Sequence, residues 1–160
     1  MKSHHEMETN FFCDTDAQLI IDILSISFDS SEANIRLYQR AVSTTQRHLF
    51  QQMSVQYHNL FEGLLRRHIA LPKDGGTMNL EAGYIGKAYL TALKSSDKNA
   101  PSRVMSINRQ ALKRMKRMVG SMQNRVFASW VSSYLAFIQM ALDHMQYQQN
   151  QVDVGLSHYK

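Results

Sequence analysis

Apolar residues in this chain recur at every third or fourth position, and no stretch alternates apolar with polar residues between turn signals. That pattern argues against sheets and requires the chain to bury itself as packed amphipathic helices. Only two prolines punctuate it, Pro72 and Pro101, and both fall between periodic segments. Inside a helix either would cost about 3 kcal/mol. A length of 160 residues gives room for one domain with its own core. An apolar content of 44% makes that domain globular rather than disordered.

The periodic segments define four long helices. The first follows possible N-caps at Asp14, Thr15 and Asp16 and runs to about residue 45. The second spans about 46–71 and stops at Pro72, with Lys73, Asp74, Gly75 and Gly76 as a loop. Asn79 can cap a shorter helix to about residue 95, in which Gly83, Gly86 and Leu90 share one face. Pro101 suits the first turn of the third long helix, which ends near Gly120. Ser121 then caps a fourth, to about residue 149. The expected organisation is a mobile tail over 1–13, one helical domain over 14–149 and a frayed end over 150–160. A short first connection makes the first two helices antiparallel neighbours. The long second connection, carrying the shorter helix, is the single-crossover arrangement of ferritin-like four-helix bundles.

The ends of the chain differ in charge. Residues 1–32 hold one lysine and seven acids, and the remainder holds seventeen bases and six acids, so the net +5 is concentrated after residue 32. Arg109, Lys113, Arg114, Lys116 and Arg117 form a basic outer face on the third long helix. A solvated helix face is the plain explanation; weak, nonspecific nucleic-acid binding is the alternative. No aromatic residues for base stacking are interleaved with these bases, and no helix-turn-helix or zinc-knuckle motif is present. The apolar runs are too short for a membrane span, and the N-terminus has no signal-peptide pattern. A single cysteine, Cys13, cannot form an internal disulfide, which makes the cytoplasm the expected compartment.

The segment AGYIGKAYLTALKSSDKNAPSRVMSINRQAL, residues 82–112, passes from a short glycine-containing helix through a polar loop into a long helix. ISFDSSEANIRLYQRA and QMSVQYHNLFEGLL supply two earlier helices. Together these resemble a bacterial ferritin-like four-helix family of unknown function. The resemblance implies an all-α ferritin-like bundle and makes a homodimer and a stress-related role plausible. It also raises the question of a di-metal centre. Ferritin-like metal proteins draw one Glu from each of two helices and a Glu-x-x-His from each of the others.

The chain does not carry that ligand set. It has five glutamates, and Glu32, Glu62 and Glu81 are followed three residues later by Ile35, Leu65 and Tyr84, none of them histidine. The third long helix has no acid at all. At 100° per residue, the inward arcs contain Ser27, Ser30, Asn34 and Tyr38 on the first helix, Tyr57 on the second and Asn108 on the third. On the fourth, the arc is Val126, Trp130, Ser133, Tyr134, Phe137, Ala141, His144 and Met145. No carboxylate is expected to face inward. His58 and Glu62 are the weak metal candidates, and an i,i+4 surface pair is the simpler account of them. Two accounts of these residues stand side by side: a neutral hydrogen-bonded layer, with Asn34 and Asn108 on the helices where lone glutamates would stand in the metal proteins, or small polar residues that merely allow close helix approach. No cofactor is expected. The function expected is that of a non-catalytic binding or scaffolding module; a di-metal oxidase or storage protein and a nonspecific nucleic-acid binder are the alternatives.

Overall fold

The computed structural model describes residues 13–41, 43–67 and 83–157. The Pro72 stop, the 73–76 loop, the Asn79 cap and all but the last residue of the expected 1–13 tail lie outside that set. The fold is all-α. Five helices form, α1 (Asp14–Arg40), α2 (Thr44–Arg66), α3 (Tyr84–Leu93), α4 (Ala100–Ser121) and α5 (Arg125–Ser157), with no strand among the described residues.

Local chemistry sets the boundaries. Ser43 accepts from the Gln46 backbone N–H and starts α2, so α1 ends at Arg40, earlier than periodicity alone suggests. Pro101 sits in the first turn of α4 as expected. Gly120 and Ser121 stay inside α4, and the cap of α5 is Asn124, whose Oδ1 accepts from Phe127 N–H at 3.0 Å. α5 continues to Ser157, through residues expected to fray.

The four long helices close a ring: α1 packs on α2 and α4, and α5 packs on the same two, while α3 lies against α1 and α4. Side-chain register shows the directions. Lys116 Nζ donates to Gln139, and one step of seven residues back along α4 and onward along α5, Arg109 donates to Gln146, so these helices run antiparallel. α1 and α2 are joined at mid-length by Ser31 and Ser54. Ser31 Oγ donates to Ser54 O at 3.2 Å, and Ser54 Oγ donates to Ser31 O at 3.0 Å. Two small side chains that satisfy each other's backbone let the helices approach closely. Arg40 ties α1 to the end of α3 by donating to Leu93 O at 2.6 Å and to Asp97 at 2.7 Å.

Ile20, Ile23, Met53, Leu60, Leu64, Val104, Met115, Val131 and Ile138 lie at the centre of the core. For α1, α2 and α4 these are the arcs expected from periodicity. For α5 the match fails except at Met145. The buried residues are Phe127, Ala128, Val131, Leu135, Ile138, Leu142 and Met145, while Val126 is 82% and Phe137 57% exposed. α5 is apolar on two sides, and the smaller, branched side chains won the interior. Arg125–Gln151 is, by length and composition alone, apolar enough to cross a membrane, with a mean hydropathy of 1.2 and a third of the window buried. Short apolar runs had argued against any such segment. Serine and glutamine break the runs here, but Asp143 is the only Asp, Glu, Lys or Arg between Val126 and Gln151.

Candidate functional site

The buried polar layer lies between α1, α2, α3 and α4. Asn34 and Asn108 are both fully buried and face each other. Each Nδ2 donates to the other's Oδ1 at 2.9 Å, making a reciprocal amide pair. Asn34 Nδ2 also donates to Ser30 O at 2.7 Å. Tyr89 Oη donates to Asn108 Oδ1 at 2.6 Å and lies 3.0 Å from Ser30 Oγ, the two hydroxyls sharing that contact. Tyr57 Oη donates to the Asn108 carbonyl at 3.2 Å. Burial holds both phenols well above their ordinary pKa, so the layer is neutral throughout the physiological range. Five side chains thus join four helices through hydrogen bonds alone.

The structure brings together Ser30, Asn34, Tyr57 and Asn108 from the expected polar interior. Ser27 is buried nearby but spends its hydroxyl on Leu24 O at 2.9 Å. The other three do not join. Tyr38 is half-buried, with the Arg47 guanidinium 5.7 Å from its ring centroid. Tyr134 is half-buried in a groove between α2 and α5. His144 is exposed and meets Gln52 at 3.3 Å. The rotation of α5 explains the last two, since both were placed inward on the face that turns out to be outside.

Tyr89 was missed because α3 was aligned on its glycines. The buried face is Ile85, Gly86, Tyr89 and Ala92, with Gly83 and Leu90 on the exposed side. The second omission is Asp16, a buried carboxylate where none was expected. It does not cap its own helix. It reaches across to the α4–α5 turn, accepting from Gln123 N–H and Asn124 N–H at 2.9 Å each. Burial alone would raise its pKa, but these amides and the Cys13 thiol outweigh that effect and hold it below the ordinary value. Asp29, half-buried on α1, has no such donors, and burial pushes it up to about 6. The N-cap type of Asn124 was a readable signal for this turn. The partner 108 residues away was not.

His58 and Glu62 form the expected i,i+4 contact at 3.6 Å, with both side chains largely in solvent. No group of three or more His, Cys, Asp or Glu side chains that could hold a metal ion occurs among the described residues. Arg109, Lys113, Arg114, Lys116 and Arg117 are exposed on α4. Arg109 and Lys116 donate to α5 glutamines, and Arg114 borders a depression with Asp22 and Asp29.

The α2–α5 groove is the other notable surface. His58, Glu62, Gly63, Arg67, Trp130 and Tyr134 line it, and the Arg67 guanidinium sits 4.4 Å from the Trp130 ring centroid. A Cβ at Gly63 would lie 2.7 Å from Tyr134 Oη and 3.0 Å from its Cζ.

The class these observations define is an all-α bundle with a neutral, fully hydrogen-bonded polar layer. The chain matches no protein-family model, no curated protein and no solved structure.

Proposed function

We propose that the chain is a ferritin-like four-helix bundle that performs no catalysis and serves as a binding or scaffolding module. Antiparallel helix pairs joined by one long crossover, with a short helix in it, support the ferritin-like assignment. The observation that carries the functional reading is the Asn34–Asn108 amide pair. Iron and manganese clusters of such bundles take carboxylate oxygens, because hard cations want anionic oxygen ligands. Between α1 and α4 the donors present are amides and phenols, all engaged with one another. Asp16, the buried acid, stands at one end of the bundle with two backbone donors on its oxygens. These are the marks of a frame held together by internal polar contacts, whose working surface is its exterior.

Metal analysis of the purified protein by mass spectrometry tests this. Iron and manganese are expected well below one equivalent, and melting is expected to be unchanged after incubation with either ion. Stoichiometric, tightly held iron or manganese would overturn the reading in favour of a di-metal protein.

A further inference from the structure

Among the described residues, the exposed face of α5 is touched only at its α2 edge, where Trp130 meets Arg67 and His144 meets Gln52. Val126, Trp130, Ser133, Phe137, Met140, His144 and Tyr147 follow one another along it at helical spacing. Val126 is 82%, Phe137 57%, Met140 65% and Tyr147 59% exposed. From Val126 to Tyr147 the stripe is about 32 Å long at 1.5 Å per residue. Its four most exposed apolar side chains present about 500 Å² to solvent, near the upper end of patches found on monomers.

We propose that this face is a homodimer interface, with α5 packed antiparallel against α5 of a second copy across a two-fold axis near Phe137. The proposal deepens the binding-module reading and rests on it, naming the partner.

Charge selects the occupant. The chain carries a net +5, so two copies repel unless they meet where charge is lacking. The stripe has no Asp, Glu, Lys or Arg. Asp143, the acid on this stretch of α5, points to the α4 side, where it accepts from Gln139 at 2.8 Å and borders Lys113 and Lys116. An acidic protein partner would find cations only at the α2 edge of the stripe, where Arg67 already stacks on Trp130. A helix that lies on lipid carries Lys and Arg along its polar flank. On α5 that flank is Ser132, Gln139, Asp143, Gln146 and Asn150.

The stripe also matches its own reverse. Turned about Phe137, Val126 meets Tyr147 of the second copy and Ser133 meets Met140, a small side chain opposite a large one each time. Phe137 then lies beside its own symmetry mate. An isologous contact of this kind closes as a dimer. At about 500 Å² per partner the apolar stripe falls in the range of weaker, reversible interfaces.

Sedimentation equilibrium of the full chain under reducing conditions, up to about 100 µM, tests the proposal. The wild type is expected at twice its 18.4 kDa chain mass. Phe137→Glu and Met140→Lys are expected to be monomeric with unchanged circular dichroism, and Ser132→Glu, on the other exposed flank, to remain dimeric. A wild-type protein that stays monomeric overturns the proposal, whether its α5 face is then found covered by residues 68–82 or bound to vesicles of anionic phospholipid. So does a dimer that survives both stripe variants. None of these outcomes bears on metal content, so this proposal and the preceding one fail separately.

Discussion

The amide pair makes a quantitative demand on stability. Replacing Asn34 with leucine, close to it in shape, removes the acceptor of Asn108 Nδ2 and strands that donor at full burial. Asn108 Oδ1 keeps Tyr89. An orphaned buried amide costs about 1–3 kcal/mol, and with the lost hydrogen bonds the variant should lose about 2–4 kcal/mol. Asn108→Leu strands Asn34 Oδ1 and leaves the Tyr89 hydroxyl with Ser30 alone, so it should cost about 3–5 kcal/mol. The double variant leaves neither amide. Its cost should be about 1–3 kcal/mol, less than either single change would suggest, because replacing both partners by apolar groups of similar shape approaches neutrality. Urea unfolding followed by circular dichroism measures all three. The coupling energy, the two single costs less the double, should be at least about 2 kcal/mol. If the two single effects add to the double within about 0.5 kcal/mol, the side chains are not paired as described and the account of the layer fails.

Other expectations are more local. Asp16→Asn keeps the shape but loses the charge facing the start of α5, and should cost about 1–2 kcal/mol at pH 7. Because the folded pKa of Asp16 lies below its unfolded value, its contribution is present above that unfolded value and is lost as pH falls through the folded one. The difference between wild type and variant should therefore shrink in acid urea titrations. Asp29 has the opposite sign, since a folded pKa raised to about 6 favours the native state below the unfolded value and loses that benefit as pH rises past 6. Asp29→Asn should stabilise by about 1 kcal/mol at pH 7, after allowance for solvent screening, and the gain should vanish near pH 4. Gly63→Ala should push Tyr134 off Trp130, from which it is now 5.0 Å by ring centroid. Since Trp130 is the single tryptophan, its emission should shift while melting changes by less than about 1 kcal/mol.

Three of the four long helices could be oriented from sequence because each has one apolar stripe and one polar side. Asn34 and Asn108 interrupt such stripes, which is why both could be placed in the interior without coordinates. α5 offered two apolar faces, and periodicity has no means to choose between them. Aromatic bulk favoured the Trp130–Phe137 side, whereas close packing favoured Val131, Leu135 and Ile138. In α3 the glycines drew attention to the wrong face, and the informative residue was the one tyrosine that could reach a buried amide. Asp16 was legible as a cap but not as the acceptor that ties down the α4–α5 turn. Side chain-to-backbone bonds across the whole chain leave no local signature.

That last contact has a kinetic consequence. Asp16 and Gln123 are separated by 107 positions, whereas the turns that create the α1–α2 and α4–α5 hairpins are only a few residues long. Loop closure over so long a span gains nothing until the intervening helices are already arranged. The carboxylate then behaves as a latch, engaging once α4 and α5 have formed the turn that presents its two amides. Exchange protection at Gln123 and Asn124 should accordingly be among the last to develop on refolding, which makes a buried acid at the beginning of the chain a marker for completion at the other end.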